Sequence, residues 1–451
     1  MTSISGIRGI VGKTLTPEVV VRYASAFAQY TNRGPILLGR DGRLTGRIIA
    51  NIVSSTLLSV GSDVIAIGVC PTPTLIFAVT RSRAAGAIAV TASHNPMEWD
   101  GLKFIAPGGM FLTAQEYERF SKIVANSNRE YVEWHRFGKH VVDESYLQLH
   151  LEAVLAIKYL DVHAIRARKF TVVLDCINAA GCVLLPGLLK ELGCTVIPLN
   201  CDLSGIFARP PEPVPENLTE VRRTVLQQKA DLGIVVDPDA DRLVLITEKG
   251  EPFGEEYTVA GAIRFVLQKE SVSGQKVAVN LSTTRAVEDI AHQYGAEVYR
   301  TPVGEVHVAA KMKEVGAVVG GEGNGGVILP ALHHGRDSLV GIALMLQYVT
   351  EFGDTLSKLK QTLPAYSIVK DKVALQSVDG DKVLHALKDR HAANGRVNTD
   401  DGVKLDFADY WVHLRKSNTE PIVRIIAEAR TQSEAENVVE QFKKRVLSFQ
   451  S

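Results

Sequence analysis

The sequence predicts three similar α/β domains with mostly parallel sheets, followed by a C-terminal α+β domain. A chain of 451 residues is too long for a single hydrophobic core. Short apolar runs alternate with helical patterns through most of the chain, which is typical of a parallel sheet covered by helices. After Leu363-Pro364 the pattern changes to alternating strands. We place the four domains at residues 1–146, 147–250, 251–364 and 365–451.

The composition excludes several classes of protein. Hydrophobic residues make up 46% and charged residues 22%, as in an ordinary globular protein. Lys plus Arg and Asp plus Glu both number 50, so the basic excess of a protein that binds nucleic acid or a membrane surface is missing. No apolar segment is long enough to span a bilayer, and the N-terminus has no signal-peptide pattern. We therefore expect a cytoplasmic protein with neither nucleic acid nor membrane as a partner.

The cysteines agree with that compartment. There are five of them, an odd number without a paired metal-binding spacing, and some lie in or beside apolar runs. We interpret them as reduced, mostly buried residues. They are Cys70, Cys176, Cys182, Cys194 and Cys201.

The first domain shows the alternation of strands and helices clearly. Thr16-Pro17-Glu18 combines a cap, a proline at the first helical position and an acid in the first turn, so a helix begins there and runs to about Asn32. Pro107-Gly108-Gly109 between two apolar runs indicates a hairpin. The other predicted elements are strands at 36–38, 63–69 and 84–90 and helices at 45–58 and 72–80.

The same alternation then returns twice, which indicates a repeated unit. After a linking helix at 144–159, the second domain has predicted strands at 170–175, 194–199 and 232–236 and helices at 179–192 and 218–229. The third has predicted strands at 276–279, 297–299 and 317–319 and helices at 256–268, 285–294, 306–314 and 338–350. The fourth domain has predicted strands at 370–375, 402–406, 410–414 and 422–427, closed by a helix at 433–446.

A candidate reactive serine follows the strand at 84–90. The segment Thr91-Ala92-Ser93-His94-Asn95-Pro96 places a hydroxyl, an imidazole and an amide where the strand ends, and its proline prevents a regular continuation. The carboxyl ends of parallel strands are where α/β proteins bind ligands. Taken alone, Ser93 is an ordinary loop serine, so its interpretation as reactive depends on partners elsewhere in the chain.

An acidic loop supplies such partners. Asp237, Asp239 and Asp241 follow the apolar strand at 232–236, and three carboxylates at alternate positions can converge on one hard cation. Three protein ligands leave coordination positions open, so we expect the metal to meet a phosphate of the ligand too. A solvated acidic loop is the alternative interpretation.

Two glycine-rich segments could approach a small ligand. Arg8 lies among the glycines of the N-terminal segment 5–12, where a guanidinium can meet a phosphate. Glu322 and Asn324 lie in the segment 320–326, and an acceptor carboxylate with a two-sided amide suits sugar hydroxyls better than phosphate. A plain turn is the alternative for each segment.

A basic turn in the last domain is a candidate anion site. The segment 415–421 combines two cations, two hydroxyls, an amide and several backbone N–H groups, and Arg424 follows closely. It does not fit a nucleotide-binding phosphate loop. A solvated basic turn is the alternative.

These motifs together resemble the α-D-phosphohexomutase family, enzymes that move phosphate between the 1- and 6-hydroxyls of hexoses. The serine, metal, sugar and phosphate loops occur in the family's order, and the resemblance covers the whole chain, including a four-domain layout around a central cleft. The matching segments are 91–96, 237–242, 321–326 and 415–421.

The resemblance implies a role for each candidate residue. Ser93 is carried as a phosphoserine, and Asp237, Asp239 and Asp241 hold Mg²⁺ together with one of its phosphate oxygens, so Ser93 also belongs to the metal site. The catalytic candidates are Ser93, His94, Lys103 and Arg8. The substrate-binding candidates are Arg242, Gly304, Glu322, Asn324, Arg415, Ser417, Asn418, Thr419 and Arg424.

The implied reaction passes through two phosphoryl transfers. Phosphoserine 93 gives its phosphoryl group to a hexose phosphate, and a hexose 1,6-bisphosphate intermediate turns over inside the closed cleft. The serine then takes back the other phosphate, while Mg²⁺ neutralises developing charge. The partners are small sugar phosphates, and the last domain is expected to rotate as a lid.

Departures from the family pattern leave the general acid/base and the sugar open. Gly326 and Glu305 stand where some bacterial members have histidines, so Lys103 is our first choice, with Glu305, His333 and His334 as further candidates. We expect the two histidines to lie in a solvated loop. The implied conversion is glucosamine 6-phosphate to glucosamine 1-phosphate, with glucose and mannose phosphates as the alternatives.

Two other classes of function fit parts of the sequence. A Mg²⁺-dependent sugar-phosphate phosphatase would pass the phosphate from Ser93 to water, but it would not need a second phosphate cradle. A non-catalytic sugar-phosphate sensor would not need Ser93 together with the three aspartates.

Overall fold

The computed structural model contains the four sheets that the sequence predicts, three of them mixed and mostly parallel and the last antiparallel. The prediction of three similar α/β domains and a C-terminal α+β domain is therefore confirmed. The structure describes residues 2–4, 6–126, 130–270, 272–375, 380–391, 395–416 and 422–449.

The first domain is built on an eight-stranded sheet. Its strands are β1 (Thr2–Ser3), β2 (Gly6–Ile10), β3 (Ile36–Arg40), β4 (Val64–Val69), β5 (Gly86–Val90), β6 (Trp99–Ala106), β7 (Met110–Phe111) and β8 (His140–Val142). Its helices are α1 (Pro17–Tyr30), α2 (Gly46–Ser59), α3 (Thr72–Arg81) and α4 (Ala114–Ala125), and α5 (Ser145–Leu155) leads to the next domain. The strand order is β1-β2-β6-β5-β3-β4-β8, with β7 paired to β6.

The second and third domains each have a four-stranded sheet. The second consists of α6 (Val162–Arg168), β9 (Thr171–Asp175), α7 (Leu185–Glu191), β10 (Thr195–Leu199), α8 (Thr219–Gln228), β11 (Leu232–Val236) and β12 (Leu243–Thr247). The third consists of α9 (Glu255–Lys269), β13 (Lys276–Asn280), α10 (Ala286–Gln293), β14 (Glu297–Thr301), α11 (Glu305–Val315), β15 (Val319–Glu322), β16 (Gly326–Ile328), α12 (Ser338–Phe352) and α13 (Leu356–Gln361).

One strand arrangement is repeated in the first three sheets. The orders β4-β3-β5-β6, β10-β9-β11-β12 and β14-β13-β15-β16 correspond strand for strand. In each, the first three strands are parallel and the fourth is antiparallel to the third. The serine, acidic and glycine-rich loops all connect the third strand of a unit to its fourth, so the repeat places the three motifs at equivalent positions.

The fourth domain is an antiparallel sheet with helices. Its elements are β17 (Ser367–Ala374), α14 (Gly380–His391), β18 (Arg396–Asn398), β19 (Val403–Asp406), β20 (Trp411–Lys416), β21 (Ile422–Ala429) and α15 (Gln432–Leu447). The strand order is β17-β21-β20-β19-β18. Phe442 of α15 belongs to the same buried cluster as Val412 and Ile425 of the sheet.

The element prediction was wrong in several details. The helix predicted at 179–192 is a 3-10 turn at Ala180–Val183 followed by α7, because Pro186 lacks an N–H and starts a new helix. The strand predicted at 317–319 begins and ends later, at Val319–Glu322, so Glu322 lies on a strand rather than in a loop. Helix α4 was missed, although Thr113 and Glu116 form a capping box at its start.

Helix α12 joins the second and third domains. It is apolar on all sides, and every residue from Ser338 to Val349 is buried. Its side chains share one core cluster with residues of the second domain and with Leu151 of α5. Such a helix is held on every side, so the residues at its start, beside the candidate site, are firmly placed. Among the described residues, no helix is both long and apolar enough to cross a membrane.

Candidate active site

The serine loop is held by a buried arginine. The guanidinium of Arg43 donates to the carbonyl oxygens of Ser93 at 2.6 Å, Asn95 at 2.7 Å, Pro96 at 2.7 Å and Trp99 at 2.9 Å. The first three carbonyls lie in the loop and the fourth begins β6, so one side chain supplies hydrogen-bond donors along the whole connection between β5 and β6. The loop is therefore fixed in one shape.

Asp41 orients that arginine and the start of the loop. Its carboxylate accepts from Arg43 Nε at 3.1 Å and from Thr91 Oγ1 at 2.7 Å. The Thr91 hydroxyl in turn accepts from the amide of Ser93 at 2.9 Å. Ser93 has a φ of 48°, a left-handed conformation that a non-glycine residue keeps only where its surroundings hold it.

Ser93 faces the acidic loop. Its Oγ donates to Asp237 Oδ2 at 3.0 Å, across a separation of 144 residues. His94 Nδ1 lies 3.5 Å from the same Oγ. The cation of Arg242, then burial and Arg8, hold the pKa of His94 well below its ordinary value, so this imidazole is neutral. The structure thus brings Ser93, His94 and the acidic loop together.

The acidic loop can hold a metal ion. Asp237, Asp239 and Asp241 are buried, and the ligand oxygens that they offer lie within 4.8 Å of one another. Asp239 Oδ1 and Asp241 Oδ1 are buried with no hydrogen-bond donor among the described residues. Buried carboxylate oxygens without a donor are costly unless a cation is bound. The residues present therefore fit a divalent cation with oxygen ligands.

Lysine and threonine side chains from the first domain hold this loop. Lys103 Nζ lies 2.6 Å from Asp239 Oδ2 and 3.4 Å from Asp241 Oδ2. Thr72, the first residue of α3, donates its hydroxyl to Asp239 Oδ2 at 2.7 Å and its amide to the Asp239 carbonyl at 3.0 Å. The loop is thereby joined to the first domain.

The close approach of these buried charges shifts the pKa values of Asp237, Asp239 and Lys103. Burial, and then the charges of Asp241 and Asp239, raise the pKa of Asp237 well above its ordinary value. For Asp239 the same burial is outweighed by Lys103, and its pKa lies below the ordinary value. Burial lowers the pKa of Lys103, but the two carboxylates outweigh it and the pKa is raised. The lysine is therefore an ammonium ion.

Arg336 connects the acidic loop with the third domain, and the sequence analysis did not single it out. Its guanidinium lies 2.6 Å from Asp241 Oδ2 and 2.6 Å from Glu322 Oε2. Its Nε lies 3.3 Å from Glu305 Oε2, and its amide donates to Glu305 Oε1 at 2.7 Å. Burial, offset in part by Arg336, raises the pKa of Glu305 to about 7.

The predicted sugar-binding residues lie beside this arginine. Glu322 Oε1 accepts from the Gly304 amide at 2.8 Å and from Asn280 Nδ2 at 2.9 Å. Asn324 Oδ1 accepts from the Gly326 amide at 3.2 Å and closes the turn between β15 and β16. A Cβ at Gly326 would lie 2.2 Å from Arg336 Cδ, so only glycine leaves room for that side chain.

Two other predicted cations lie at the same place. Arg8 donates through Nη1 to Asn95 Oδ1 in the serine loop at 2.9 Å. Arg242 is at the end of the acidic loop, with Nε 3.9 Å from Asp241 Oδ1 and Nη1 3.6 Å from Glu212. Together with Lys103 and Arg336 they give the region around the aspartates a positive rim suited to phosphate.

The predicted phosphate loop is described only at its flanks. Arg415 of β20 and Arg424 of β21 are direct cross-strand partners, so their side chains share one face. Arg415 Nε lies 2.7 Å from Asp401 Oδ2, and Asp401 also accepts from the Val303 amide at 2.9 Å. Ser417, Asn418 and Thr419 lie outside the described residues.

The expectation that His333 and His334 form a solvated loop was wrong for His333. His333 is buried, with Nε2 3.0 Å from Asp337 Oδ2, and the Gly335 amide donates to its Nδ1 at 3.0 Å. His150 Nε2 lies 2.9 Å from the same Asp337 oxygen. The signal that could have found this cluster is Asp337 itself, since an aspartate directly before an apolar helical run is typical of a helix cap.

Comparison with known proteins agrees with this geometry. The chain matches the phosphoglucomutase/phosphomannomutase alpha/beta/alpha domains I, II and III over residues 2–130, 148–250 and 254–366, and the C-terminal domain over residues 368–445. It is 38% identical to a probable phosphoglucosamine mutase of Methanopyrus kandleri, over 97% of this chain and 96% of that protein. It is 35% identical to a phosphoglucomutase/phosphomannomutase of Thermococcus kodakarensis, over 96% of each.

A solved structure shows the same arrangement of domains. The crystal structure of a phosphoglucomutase/phosphomannomutase family protein from Burkholderia thailandensis superposes with a TM-score of 0.86 at 26% identity, covering 99% of this chain and 98% of that one. All four domains are matched in order, and the relatives cover nearly the whole chain. The chain therefore belongs to the phosphoglucomutase/phosphomannomutase family, the α-D-phosphohexose mutases.

Proposed function

We propose that this chain is a phosphoglucosamine mutase that interconverts glucosamine 6-phosphate and glucosamine 1-phosphate through a phosphoserine at position 93. The observation that carries the proposal is the approach of Ser93 Oγ to within 3.0 Å of Asp237 Oδ2, in a buried group of three aspartates. A hydroxyl beside a candidate metal site is placed to hold a phosphoryl group between turnovers.

The reaction consists of two transfers that mirror each other. In the first, the bond from phosphorus to Ser93 Oγ breaks as a bond to the free hydroxyl of the sugar phosphate forms, giving a hexose 1,6-bisphosphate. In the second, the other phosphate of the reoriented bisphosphate passes to Ser93 Oγ. Lys103, Arg8 and Arg242 surround this point with positive charge, which stabilises the transferring group. When bound by the three aspartates, Mg²⁺ would supply further charge neutralisation.

Two residues are candidates for proton transfer, one that carries a proton at neutral pH and one that can accept a proton. Lys103 is a buried ammonium beside the aspartates, so it carries a proton at neutral pH. Glu305, with a pKa of about 7, is poised to accept a proton near neutral pH. We assign the general acid to Lys103 and the general base to Glu305.

The third and fourth domains are proposed to hold the rest of the substrate. Glu322, Asn324 and Gly304 form one polar group at the end of β15 that suits sugar hydroxyls. The distal phosphate is assigned to the turn of the fourth domain. That turn comprises Arg415, Ser417, Asn418, Thr419 and Arg424.

The preference for glucosamine rests on resemblance. The relative at 38% identity is named for glucosamine phosphate, and one at 35% is named for glucose and mannose phosphates. Competition between the 6-phosphates of glucosamine, glucose and mannose tests this directly. The proposal expects the highest kcat/KM for glucosamine 6-phosphate, and a preference for glucose or mannose phosphate would contradict the assigned sugar while leaving the mutase chemistry intact.

The serine is tested by Ser93→Ala. The variant should lose measurable turnover while still binding sugar phosphate, and the intact mass of the wild type, after incubation with the bisphosphate, should include one phosphoryl group that the variant lacks. Ser62→Ala is the matched control, because Ser62 is a buried serine of the same domain whose Oγ has no hydrogen-bond partner among the described residues. Robust turnover by Ser93→Ala would remove Ser93 from its role.

The phosphatase alternative makes a different prediction for the same assay. A phosphatase would release one free phosphate for each sugar phosphate consumed, whereas a mutase conserves the phosphate on the sugar. Phosphate is therefore measured alongside the conversion of 6- to 1-phosphate, and stoichiometric release would favour hydrolysis.

A further inference from the structure

Three of the five cysteines meet at one edge of the second domain. Cys176 follows β9, Cys182 lies in the 3-10 turn at Ala180–Val183, and Cys201 follows β10. Their sulfur atoms lie within 4.8 Å of one another. The spacing of these residues along the chain gave no sign of this cluster, because β9 and β10 bring it together only through their parallel pairing.

The backbone around the sulfurs is held in an uncommon conformation. Ile177, Asn178 and Asn200 have φ values of 49°, 57° and 53°, in the left-handed region that costs free energy for non-glycine residues. The Asn178 amide donates to the Asn200 carbonyl at 2.6 Å and ties the two cysteine-bearing loops together. These loops fix the sulfurs as a group, which is what a preformed binding site requires.

The thiols have few competing partners, unlike the other buried cluster of metal-ligating side chains. At Asp337, both carboxylate oxygens accept hydrogen bonds, from two imidazoles and from the amides of Leu339 and Val340, so that cluster is satisfied by protein. Cys201 Sγ, by contrast, lies 3.3 Å from two backbone carbonyls, and Cys182 Sγ lies 4.0 Å from one. A cysteine sulfur forms only weak hydrogen bonds, so a metal ion can displace these contacts readily.

We propose that Cys176, Cys182 and Cys201 form a second metal site, which binds one thiophilic cation of the Zn²⁺ class. Thiolates select such cations, whereas the aspartates select hard ones. Tetrahedral ligands at a Zn–S bond of about 2.3 Å lie about 3.8 Å apart, so sulfurs already within 4.8 Å need little movement. Each thiol that becomes a ligand releases its proton to solvent. Water fills the fourth position, since Cys182 and Cys201 are partly exposed.

The proposed site lies behind the candidate active site. The Ala180 amide, in the turn that carries Cys182, donates to the Pro238 carbonyl of the acidic loop at 3.1 Å. The loop that follows Cys201 carries Phe207, whose ring lies 4.9 Å from the guanidinium carbon of Arg43, the residue that holds the serine loop. A cation on the three sulfurs would hold both the turn that contacts Pro238 and the loop that carries Phe207. Its role is therefore to stabilise the candidate active site rather than to take part in the reaction.

The experiment uses Cd²⁺ as an optical substitute for Zn²⁺. The full-length, fully reduced protein is titrated with Cd²⁺ in excess Mg²⁺, and the ultraviolet thiolate-to-cadmium charge-transfer band is followed, because ligation by aspartate does not produce it. We expect saturation at one Cd²⁺ per chain, competition by a large excess of Zn²⁺ and a rise in melting temperature on binding. The Cys182→Ser and Cys201→Ser variants should lose the saturable band.

The matched control is Cys194→Ser. Cys194 is also a partly exposed cysteine of the second domain but does not belong to the cluster, so this variant should keep the wild-type band and stoichiometry. Absence of a thiolate band in reduced wild type would overturn the proposal, as would an undiminished band in the Cys182→Ser/Cys201→Ser double variant. If the air-exposed protein contains a disulfide within the cluster, and the reduced protein shows no cadmium–thiolate band, the cluster would be assigned to redox chemistry instead. The stoichiometry of the band, the competition by Zn²⁺ and the melting temperature can all be measured without an assay of mutase activity.

Discussion

Arg43 shows how one buried side chain can hold a catalytic candidate in position. It is 1% exposed, and its five N–H groups are directed to four backbone carbonyls and Asp41. The planar guanidinium can reach several acceptors at once, whereas a lysine ammonium is a single point at the end of its chain. Its position is therefore specific to arginine.

Arg43→Lys should lower kcat by about 10- to 100-fold, because the serine loop loses most of its fixed donors and Ser93 is no longer held in its left-handed conformation. Steady-state kinetics with thermal melts measures both effects. Arg47→Lys, an exposed arginine of α2 close in sequence, is the control and should be indistinguishable from wild type. Equal activity of the two variants would mean that the hydrogen bonds of Arg43 do not position Ser93.

At the level of the element, the start of α12 is where buried polar groups are concentrated. Asp337 Oδ1 caps the helix by accepting from the amides of Leu339 and Val340. Its other oxygen accepts from His150 and His333, while Ser338 donates its hydroxyl to the Ala240 carbonyl in the acidic loop at 2.7 Å. The helix thus holds its own N-terminus, α5 and the acidic loop in one arrangement.

Asp337→Asn should destabilise the protein, since an amide cannot accept from two imidazole N–H groups and cap the helix as well. We expect a loss of about 1–3 kcal/mol for each N–H left without an acceptor, measured by chemical denaturation. Asp354→Asn is the control, because Asp354 pairs with Lys358 where both side chains are largely exposed. A free energy of unfolding unchanged by Asp337→Asn would show that the cluster contributes no stability.

At the level of the whole molecule, Arg285 is one of the residues that fasten the fourth domain to the third. The backbone amide of Arg285 donates to Glu428 Oε1 at 2.9 Å, and its guanidinium donates to the carbonyls of Phe407, Ala408 and Tyr410. A second contact joins Ser282 Oγ to His413 Nδ1 at 2.8 Å. Under the proposed function, the relative position of the two domains would decide whether the phosphate turn can reach a substrate held by the third.

Arg285→Ala should raise KM by about 3- to 10-fold with a smaller effect on kcat, because the domain arrangement able to bind substrate becomes less populated. Steady-state kinetics and the melting temperature of the variant distinguish this from general destabilisation. Arg222→Ala removes a comparable contact, a donor to the Gly250 carbonyl within the second domain, and should leave KM unchanged. A KM for Arg285→Ala equal to that of the control would contradict the role of this contact.

The stability of the whole molecule should also depend on pH through Glu256. Burial raises the pKa of Glu256 to about 8, against an ordinary value of 4.5. Since the folded protein binds the proton more tightly, this group stabilises the fold below pH 4.5, and the contribution is lost as the pH rises through 8. Between pH 5 and pH 9 the free energy of unfolding of the wild type should therefore fall by on the order of a few kcal/mol more than that of Glu256→Gln. Chemical denaturation at both pH values measures this difference.

The comparison of variant with wild type isolates this residue. Burial also raises the pKa of Asp100 and of Glu305 to about 7. Their contributions to the free energy of unfolding are lost over the same pH range, and this loss should persist in Glu256→Gln. Equal pH dependence in the two proteins would mean that Glu256 is already ionised in the fold.

The sequence by itself determined the four-part architecture, the order of the motifs and the serine and aspartate candidates. Each of these depends on a local pattern: an apolar run ends, a polar cluster follows, and the topology of parallel sheets sends such clusters to one edge. The family resemblance extended that reasoning to a mechanism, and the comparisons then established the family itself. The missed helix α4 also had a local signal, so its omission was avoidable.

Only the tertiary structure decided which side chains hold those candidates in place. Arg43 reaches carbonyls more than 50 residues away, Arg336 meets Asp241 across 95 residues, and His150 meets Asp337 across 187. The three cysteines likewise meet only through the pairing of β9 with β10. Local patterns fix secondary structure because it depends on near neighbours, whereas a buried charge or thiol is defined by partners that only packing can bring within reach.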